Sequence, residues 1–280
     1  MYRSLATGAI GVGVGSLEEG MEMAARHGFE GYHFEIGEAA ELGVEKVKEL
    51  AAATGVQLAA WGFPVNFRAG DGDYEEDMAR LPWLAETAAR LGVRRTATYI
   101  MPGSNELTYE ENFALHVERL GLAAAILAEN GIRLGLEYVA PQLLWTSFAH
   151  PFVHDMKQMS LLCAAVGSNV GFLLDSWHWY TARESAEDLR QLRADQVVVV
   201  HVNDAPAGVG VNEQIDSVRQ LPGETGVIDI AVFLATLKEI GYDGPVMVEP
   251  FSEELRQLPA EEACAATAAA LDKVWEQAGI

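Results

Sequence analysis

Cysteine is scarce in this 280-residue sequence, which contains only Cys163 and Cys264. The two cysteines lie far apart, in stretches whose apolar residues have helical spacing. This separation excludes a Cys-x-x-Cys redox pair and a cysteine-based metal knuckle. We therefore expect both thiols to be buried and to pack as small apolar side chains.

Basic residues are also few, with 19 Lys and Arg against 41 Asp and Glu and a formal net charge of −22. A chain this acidic repels a phosphate backbone, and it has no basic block that would bind an anionic membrane surface. We therefore expect small-molecule partners, and neither nucleic acid nor a membrane.

Long apolar runs are missing as well, since no uninterrupted stretch reaches the roughly 18 residues that a membrane-spanning helix needs. The N-terminal segment MYRSLATGAIGVGVGS is interrupted by glycines and has no convincing small-x-small cleavage motif. These features predict a cytoplasmic protein.

Apolar residues nevertheless make up 50% of the chain and charged residues 21%, which is sufficient for a large core. Short β-rich runs alternate with longer amphipathic stretches from one end of the chain to the other. The candidate strands are Leu5–Val14, Phe29–Ile36, Val56–Phe63, Val93–Ile100, Ile132–Val139, Val170–Leu174, Val197–Val202 and Pro245–Val248.

The amphipathic stretches between these runs predict helices, and several are followed by a glycine suited to a left-handed C-terminal cap. The predicted helices are Leu17–His27, Glu41–Ala53, Tyr74–Arg90, Tyr109–Asn130, His154–Val166, Ser185–Arg193, Ile230–Ile240 and Ala260–Gln277. The predicted capping glycines are Gly28, Gly55, Gly92, Gly131, Gly167 and Gly241.

Eight strands in 280 residues give 280/8 = 35 residues per unit, close to the repeat of a parallel barrel. We predict an α/β fold in which residues 1–280 form a single (β/α)8 TIM barrel. The alternative is a doubly wound open sheet, favoured by Gly11-Val-Gly-Val-Gly15 and by the distance to Glu35. The dinucleotide fingerprint requires a third glycine where this chain has Ser16, so this signal is weak.

Side chains that can ligate a metal ion stand at the ends of four consecutive candidate strands. Glu137 ends the fifth run, Asp175 the sixth and His201 lies near the end of the seventh, while Glu249 follows the eighth. Catalytic groups of a barrel lie at this edge, where all the βα loops converge. One such residue is easily explained by solvent exposure, but three carboxylates in register would repel each other unless a cation neutralised them.

The donor set of three carboxylates and one imidazole predicts a single divalent metal ion. Mn(II) fits this set best, and Mg(II), Co(II) or Zn(II) are alternatives. Four protein ligands on a six-coordinate ion leave two positions, which the adjacent oxygens of a hydroxy-ketone can fill.

The motifs LGLEY, LLDSWHW, VVVVHVND and LPGETGVIDIAVFLATLKEIGYDGPVMVEPF resemble the xylose isomerase-like barrel superfamily of sugar phosphate isomerases and epimerases. The resemblance is strong over 134–251 and only architectural before that. It implies a single-metal site at Glu137, Asp175, His201 and Glu249. In the epimerase branch Glu137 and Glu249 would also be the acid/base pair.

The resemblance further implies that His178 and Arg219 contact the substrate. Arg219 has a simpler interpretation as a solvated charge or as the partner of Asp216 or Glu224. Ketose 3-epimerases carry an arginine six residues after the metal histidine, where this chain has Ala207, so the chain departs from that narrower pattern.

Other residues near the predicted strand ends receive roles from their position. Glu35 is either a substrate contact or a structural carboxylate. Trp177 belongs to a group of aromatics that would line the mouth for a polyol, or else pack in loops or in a subunit interface. The rest of that group is Trp61, Trp145, Trp179, Phe63, Phe67, Phe148 and Tyr180. We assign no role to His27, His33, His116, His150 or His154, although His150 is placed near the fifth loop.

Together these features predict a sugar, keto-sugar or inosose isomerase or epimerase that transfers protons through a metal-stabilised enediolate. A dehydratase, in which a β-hydroxyl leaves from the same enediolate, is the alternative. A nuclease of the endonuclease IV type is disfavoured by the charge of −22 and by the lack of further histidines at neighbouring strand ends. A non-catalytic sugar-binding subunit is also disfavoured. The acidic site favours an uncharged substrate, and members of this superfamily are often homodimers.

Overall fold

Eight parallel strands close into a barrel. The computed structural model describes residues 1–68 and 70–280. The barrel confirms the predicted (β/α)8 fold and excludes the open-sheet alternative. Its strands are β1 (Tyr2–Leu5), β2 (Gly31–Phe34), β3 (Gln57–Gly62), β4 (Arg95–Ile100), β6 (Arg133–Tyr138), β8 (Val170–Asp175), β9 (Val197–Val202) and β10 (Pro245–Val248). They are hydrogen-bonded in the order β1-β10-β9-β8-β6-β4-β3-β2.

Helices follow most of the barrel strands and surround the sheet. They are α1 (Leu17–Arg26), α2 (Ile36–Leu42), α3 (Val44–Thr54), α4 (Asp71–Arg90), α5 (Tyr109–Glu129), α6 (Gln142–Trp145), α7 (Met156–Val166), α8 (Ser176–Thr181), α9 (Ala186–Arg190), α10 (Ile230–Glu239), α11 (Glu253–Arg256) and α12 (Ala260–Ala278). Two short antiparallel strands, β5 (Gly103–Ser104) and β7 (His150–Pro151), pair outside the barrel.

The barrel interior explains the apolar composition of its strands. The valines of Val197–Val200 are at most 1% exposed, because β9 is buried on both faces, where β-branched residues pack well. Close approach inside the barrel also requires residues without a side chain. Gly135 and Gly171 pair in register, and a Cβ on Gly171 would lie 2.2 Å from the backbone oxygen of Gln196.

The first predicted strand, Leu5–Val14, was misplaced. The strand is Tyr2–Leu5, and the following residues form a 3-10 turn over Gly8–Ile10 and then a loop. Gly11 has φ 78°, which breaks the extended run. Ile10 and Val12 are buried, so the apolar run reflects a loop packed against the core rather than a strand.

Five of the six predicted capping glycines have left-handed backbones: Gly28, Gly55, Gly92, Gly131 and Gly241. Gly167 was predicted wrongly, because its φ of 173° is extended backbone that any residue adopts. The predicted helix Glu41–Ala53 is two helices, α2 and α3, which are separated at Gly43 with φ 86°. The helix α8 and the strand pair β5–β7 were not predicted.

The pairing register places the ends of the last barrel strands at one level. Glu137 pairs with Tyr99, Asp175 pairs with His201, and His201 pairs in turn with Met247, two residues before Glu249. Because the strands are parallel, these side chains lie at the same edge of the barrel.

Two further expectations concern the cysteines and membranes. Cys163 and Cys264 are free thiols, and both are buried, as predicted. Among the described helices, none is both long and apolar enough to span a membrane.

Candidate metal centre

The four predicted ligands converge at the carboxyl edge of the barrel. Glu137, Asp175, His201 and Glu249 each offer one donor atom, and all four atoms lie within 4.8 Å of one another. His201 Nδ1 lies 3.6 Å from Glu249 Oε2 and 3.9 Å from Glu137 Oε1. Glu137 and Asp175 are buried, with 6% and 1% of their surface exposed.

Asp175 is held in position by two neighbouring elements. Its Oδ1 accepts a hydrogen bond from the backbone N–H of Trp177 at 2.7 Å and so caps α8. Asn203, just beyond β9, donates from Nδ2 to both Asp175 oxygens, and its own Oδ1 accepts the Glu249 N–H at 2.7 Å. Ser176 exchanges two hydrogen bonds with the Asn203 backbone. Asn203 therefore links the ends of β8 and β10 to the site.

Arg219 is the cation closest to these carboxylates and is only 2% exposed. Its Nη1 lies 2.8 Å from Asp175 Oδ2 and 3.3 Å from Glu249 Oε2, and its Nη2 lies 3.0 Å from Asp216 Oδ1. The solvated-charge interpretation is therefore wrong, and Asp216 is the carboxylate partner. Glu224 instead accepts the Leu221 N–H.

Two aromatic rings flank the Arg219 guanidinium. Its Cζ lies 4.6 Å from the centre of the Phe251 ring and 5.4 Å from the centre of the Trp177 ring. Phe251 has a φ of 41°, which is uncommon for a side chain of this size. These rings shield the Arg219 charge from solvent, which strengthens its attraction to the carboxylates.

His178 lies beside this cluster and is 1% exposed. Its Nδ1 accepts the backbone N–H of Ala140 at 3.3 Å. Its Nε2 lies 3.9 Å from Glu137 Oε1 and 3.4 Å from Arg219 Nη2. Burial, Arg219 and His201 hold the pKa of His178 well below its usual value, so the ring is neutral.

The surplus of negative charge perturbs the ligands themselves. Burial, Glu249 and Asp175 raise the pKa of Glu137 well above its usual value. Burial also raises the pKa of Asp175 against the attraction of Arg219. Burial disfavours a charged His201, but Glu249 and Asp175 overcome it and raise the His201 pKa. The site therefore needs more positive charge than the chain provides.

A divalent cation fits this donor set. Glu137 Oε1 and His201 Nδ1 are buried and have no hydrogen-bond partner among the described residues. Protein ligands stand roughly 2.0–2.2 Å from such an ion, so opposed ligand atoms are about 4.4 Å apart. The four donor atoms are at most 4.8 Å apart, so they would need to move inward by only a few tenths of an ångström to bind the ion.

A cavity of about 600 Å³ opens above the cluster. Glu137, His201 and Glu249 form one side of it, and Glu35 also lines it. Trp177 is fully buried and does not line this cavity, nor do the seven other aromatics expected at the mouth. The aromatic residues that do line it are Tyr32, Phe34, Tyr99 and Phe251.

Two residues of this region received no role from the sequence. His33 lines the cavity from β2, and Asn203 orients Asp175. A signal for each was present, because His33 stands near the end of a strand and Asn203 directly follows the motif that contains His201. Neither position alone distinguishes a site residue from a structural one.

The sequence profile of the family described as xylose isomerase-like TIM barrel matches residues 20–274. The chain belongs to this family. A xylose isomerase domain protein from Alicyclobacillus acidocaldarius superposes with a TM-score of 0.87 at 30% identity, covering 100% of both chains. The crystal structure of the IOLI protein with a bound zinc atom superposes with a TM-score of 0.80 at 23% identity, covering 98% of both chains, which shows the fold alone.

Two curated relatives of this chain are enzymes. The inosose isomerase of Bacillus subtilis is 29% identical over 196 residues, which cover 68% of this chain and 66% of the relative. A 3-dehydroshikimate dehydratase of Pseudomonas aeruginosa is 28% identical over 265 residues, 92% of this chain but 39% of the relative. The matched part of this chain therefore spans just under two thirds of the isomerase's length.

Proposed function

We propose that this protein is a divalent-metal-dependent isomerase or epimerase of an uncharged keto sugar or inosose. The observation that carries the proposal is the convergence of Glu137, Asp175, His201 and Glu249 at the edge of a cavity large enough for a monosaccharide. The inosose isomerase relative supports it.

The proposed metal ligands are these four side chains, and Mn(II) is the ion that the donor set fits best. The bound zinc atom of the IOLI structure, which has the same fold, supports a divalent metal ion in this protein. When bound, the ion would polarise the substrate's carbonyl and neighbouring hydroxyl and stabilise the negative charge that develops there.

Glu137 and Glu249 are the proposed acid/base pair. Glu137 stands on β6 and Glu249 directly follows β10, and these are the two outer strands of the arc β10-β9-β8-β6 at which all four proposed ligands lie. Carboxylates at both ends of the arc flank a substrate bound between them. One can remove a proton beside the carbonyl and the other can return it, on the opposite face or on the adjacent carbon.

An uncharged substrate follows from the charges around the cavity. Of its described lining residues, none is a lysine or arginine, whereas Glu35, Glu38, Glu137 and Glu249 all line it. Arg219 is already engaged by carboxylates. A phosphorylated substrate would meet net repulsion.

The other predicted contacts take distinct places in this proposal. Arg219 and His178 are buried beside the cluster and do not line the cavity, so in this proposal they act on the substrate through the carboxylates that they contact. Glu35 lines the cavity and is placed to accept a substrate hydroxyl. Trp177 acts through Arg219, against which its ring packs, rather than by direct contact.

A dehydratase is the second candidate, favoured by the Pseudomonas aeruginosa relative, which matches 92% of this chain. The same proton removal would then be followed by departure of a β-hydroxyl as water. Release of an unsaturated product, seen by ultraviolet absorbance, would distinguish this reaction from isomerisation.

The test is metal analysis of the purified protein followed by solvent-deuterium exchange into ketoses, inososes and hydroxypyruvate. We expect about one ion per chain and exchange into at least one compound. Glu137→Gln and Glu249→Gln should each abolish exchange, whereas Glu254→Gln, on the exposed surface of α11, should not. Exchange that persists in both site variants would refute the acid/base pair. Cleavage of abasic-site DNA would instead favour a nuclease.

A further inference from the structure

His33 lies on the half of the barrel that provides no metal ligand. In the closed strand order β2 is opposite β8, which carries Asp175. The β2–β3 register shifts between Tyr32 and His33, which pair with Leu58 and Ala60. Such irregularities change the direction of a side chain and are frequent beside active sites. His33 lines the cavity there.

The imidazole of His33 has no hydrogen-bond partner among the residues that the structure describes. Its Nδ1 is buried, and no hydrogen bond joins either ring nitrogen to another residue. On this half Thr7 bonds Tyr32 at 3.1 Å and Glu38 accepts the Leu17 N–H at 2.6 Å, whereas Ser4 Oγ and Trp61 Nε1 are buried without a partner and do not line the cavity. His33 differs from these groups in lining the cavity, so a molecule bound there can provide the hydrogen bond that its ring lacks.

The surroundings of His33 keep the ring neutral. Burial and the nearby His201 lower its pKa to about 4, against an opposing attraction from Glu249. A divalent ion on His201 and Glu249 would disfavour a charged ring further. Because Nδ1 is enclosed, a molecule in the cavity would contact Nε2, which in a neutral ring either donates one hydrogen bond to a hydroxyl group or accepts one from it, according to the tautomer.

We propose that His33 is a specificity-determining residue that hydrogen-bonds a substrate hydroxyl remote from the reacting carbons. This inference rests on the proposed function and narrows its substrate to polyols long enough to reach from the β6–β10 arc to β2. Five- and six-carbon ketoses and inososes have such a hydroxyl. A three-carbon hydroxy-ketone does not.

The chain-length difference provides the test. Solvent-deuterium exchange would be measured with scyllo-inosose, D-fructose and dihydroxyacetone for wild type, His33→Gln and His33→Leu. We expect His33→Leu to raise KM about tenfold or more for the best long substrate and to leave dihydroxyacetone exchange within about twofold. His33→Gln, which can still donate and accept, should keep KM within about threefold. Equal losses with long and short substrates in His33→Leu would indicate a structural role and overturn the proposal.

A matched control is His116→Leu. His116 is also buried, with an unpartnered Nε2, but it lies on α5 outside the cavity. It should leave the KM of the long substrate unchanged, and metal content should remain about one ion per chain in every variant. An increase in KM with His33→Leu no greater than with His116→Leu would contradict the assignment.

A binding measurement separates this inference from the proposed reaction. Saturation-transfer NMR with the Mg²⁺-loaded protein would report binding of scyllo-inosose and D-fructose independently of turnover. Binding that depends on His33 in the absence of exchange would refute the reaction and retain the His33 contact. Exchange with an unchanged KM in His33→Leu would refute the contact and retain the reaction. Neither binding nor exchange in wild type would overturn both.

Discussion

Asn203 donates from Nδ2 to both carboxylate oxygens of Asp175, at 3.1 and 2.9 Å. The two residues are fully or almost fully buried. A partner of this kind fixes the orientation of a ligand carboxylate, and its loss typically costs 10–100-fold in metal affinity.

We therefore expect Asn203→Ala to weaken Mn²⁺ binding by about 10–100-fold, because Asp175 loses the two hydrogen bonds from Asn203 and the Glu249 N–H loses its acceptor. Isothermal titration of the metal-free protein would measure this. Asn169→Ala is the matched control, since Asn169 makes two hydrogen bonds at the opposite end of β8. Equal affinities of the two variants would contradict the positioning role.

Replacing Arg219 should make the thermal stability of the protein depend more strongly on bound metal. Arg219→Met removes the contacts to Asp175, Glu249 and Asp216 and leaves these carboxylates without their cation. Removing one partner of a buried ion pair typically lowers the free energy of unfolding by about 3–5 kcal/mol. We expect a lower Tm without metal and a larger increase in Tm on adding Mn²⁺ than in wild type.

The control for that variant is Arg95→Met. Arg95 is a largely buried cation that bonds Asp243 and the Val198 carbonyl at the start of β4, away from the site. Its loss should lower Tm equally with and without Mn²⁺. If the Mn²⁺-induced increase in Tm is the same in Arg219→Met as in wild type, Arg219 does not balance the site's charge.

Glu184 makes stability depend on pH. Burial raises its pKa to about 7, despite hydrogen bonds from Tyr138 and the Met156 N–H, and Asp155 and Asp188 add to the increase. Because the folded-state pKa exceeds the unfolded value, the contribution of Glu184 to stability is complete below about pH 4.5 and is lost as pH rises through about 7.

Glu184→Gln should accordingly flatten this loss between pH 5 and 8, whereas Glu187→Gln, on the exposed face of the same region, should leave the wild-type profile unchanged. Urea unfolding midpoints of wild type and both variants, measured at each pH, would show this difference in pH dependence. Parallel profiles for wild type and Glu184→Gln would contradict the assignment.

The barrel interior leaves no space at Gly171. A Cβ there would lie 2.2 Å from the Gln196 backbone oxygen, which cannot move without disturbing β9. We expect Gly171→Ala to destabilise the fold by about 1–3 kcal/mol, as overpacking does. Gly37→Ala in α2, where a Cβ meets nothing within 4 Å, should be neutral or stabilising. Equal urea midpoints for both variants would contradict this packing.

The convergence of the four proposed ligands was predictable from the sequence because each stands at or next to the end of a buried apolar strand. Once parallel strands close into a barrel, Glu137, Asp175, His201 and Glu249 must meet at one edge. Local patterns therefore determined a long-range arrangement, since parallel closure places the carboxyl ends of all eight strands together.

The surroundings of the ligands were not predictable in the same way. Arg219 lies in the long connection between β9 and α10, and its contacts depend on how that loop folds back over the site. The apolar residues after Leu5 belong to a loop that covers the cavity, and no periodicity distinguishes such a loop from a strand. His33 depends on a one-residue register shift, which only the paired strands reveal.

The most direct measurement is an anomalous difference map at the manganese absorption edge from crystals of the Mn²⁺-loaded protein. We expect one strong peak about 2.0–2.3 Å from a carboxylate oxygen of Glu137, Asp175 and Glu249 and from Nδ1 of His201. A fully loaded crystal with no peak among these four side chains, or with its peak elsewhere, would contradict the metal centre and the chemistry proposed from it.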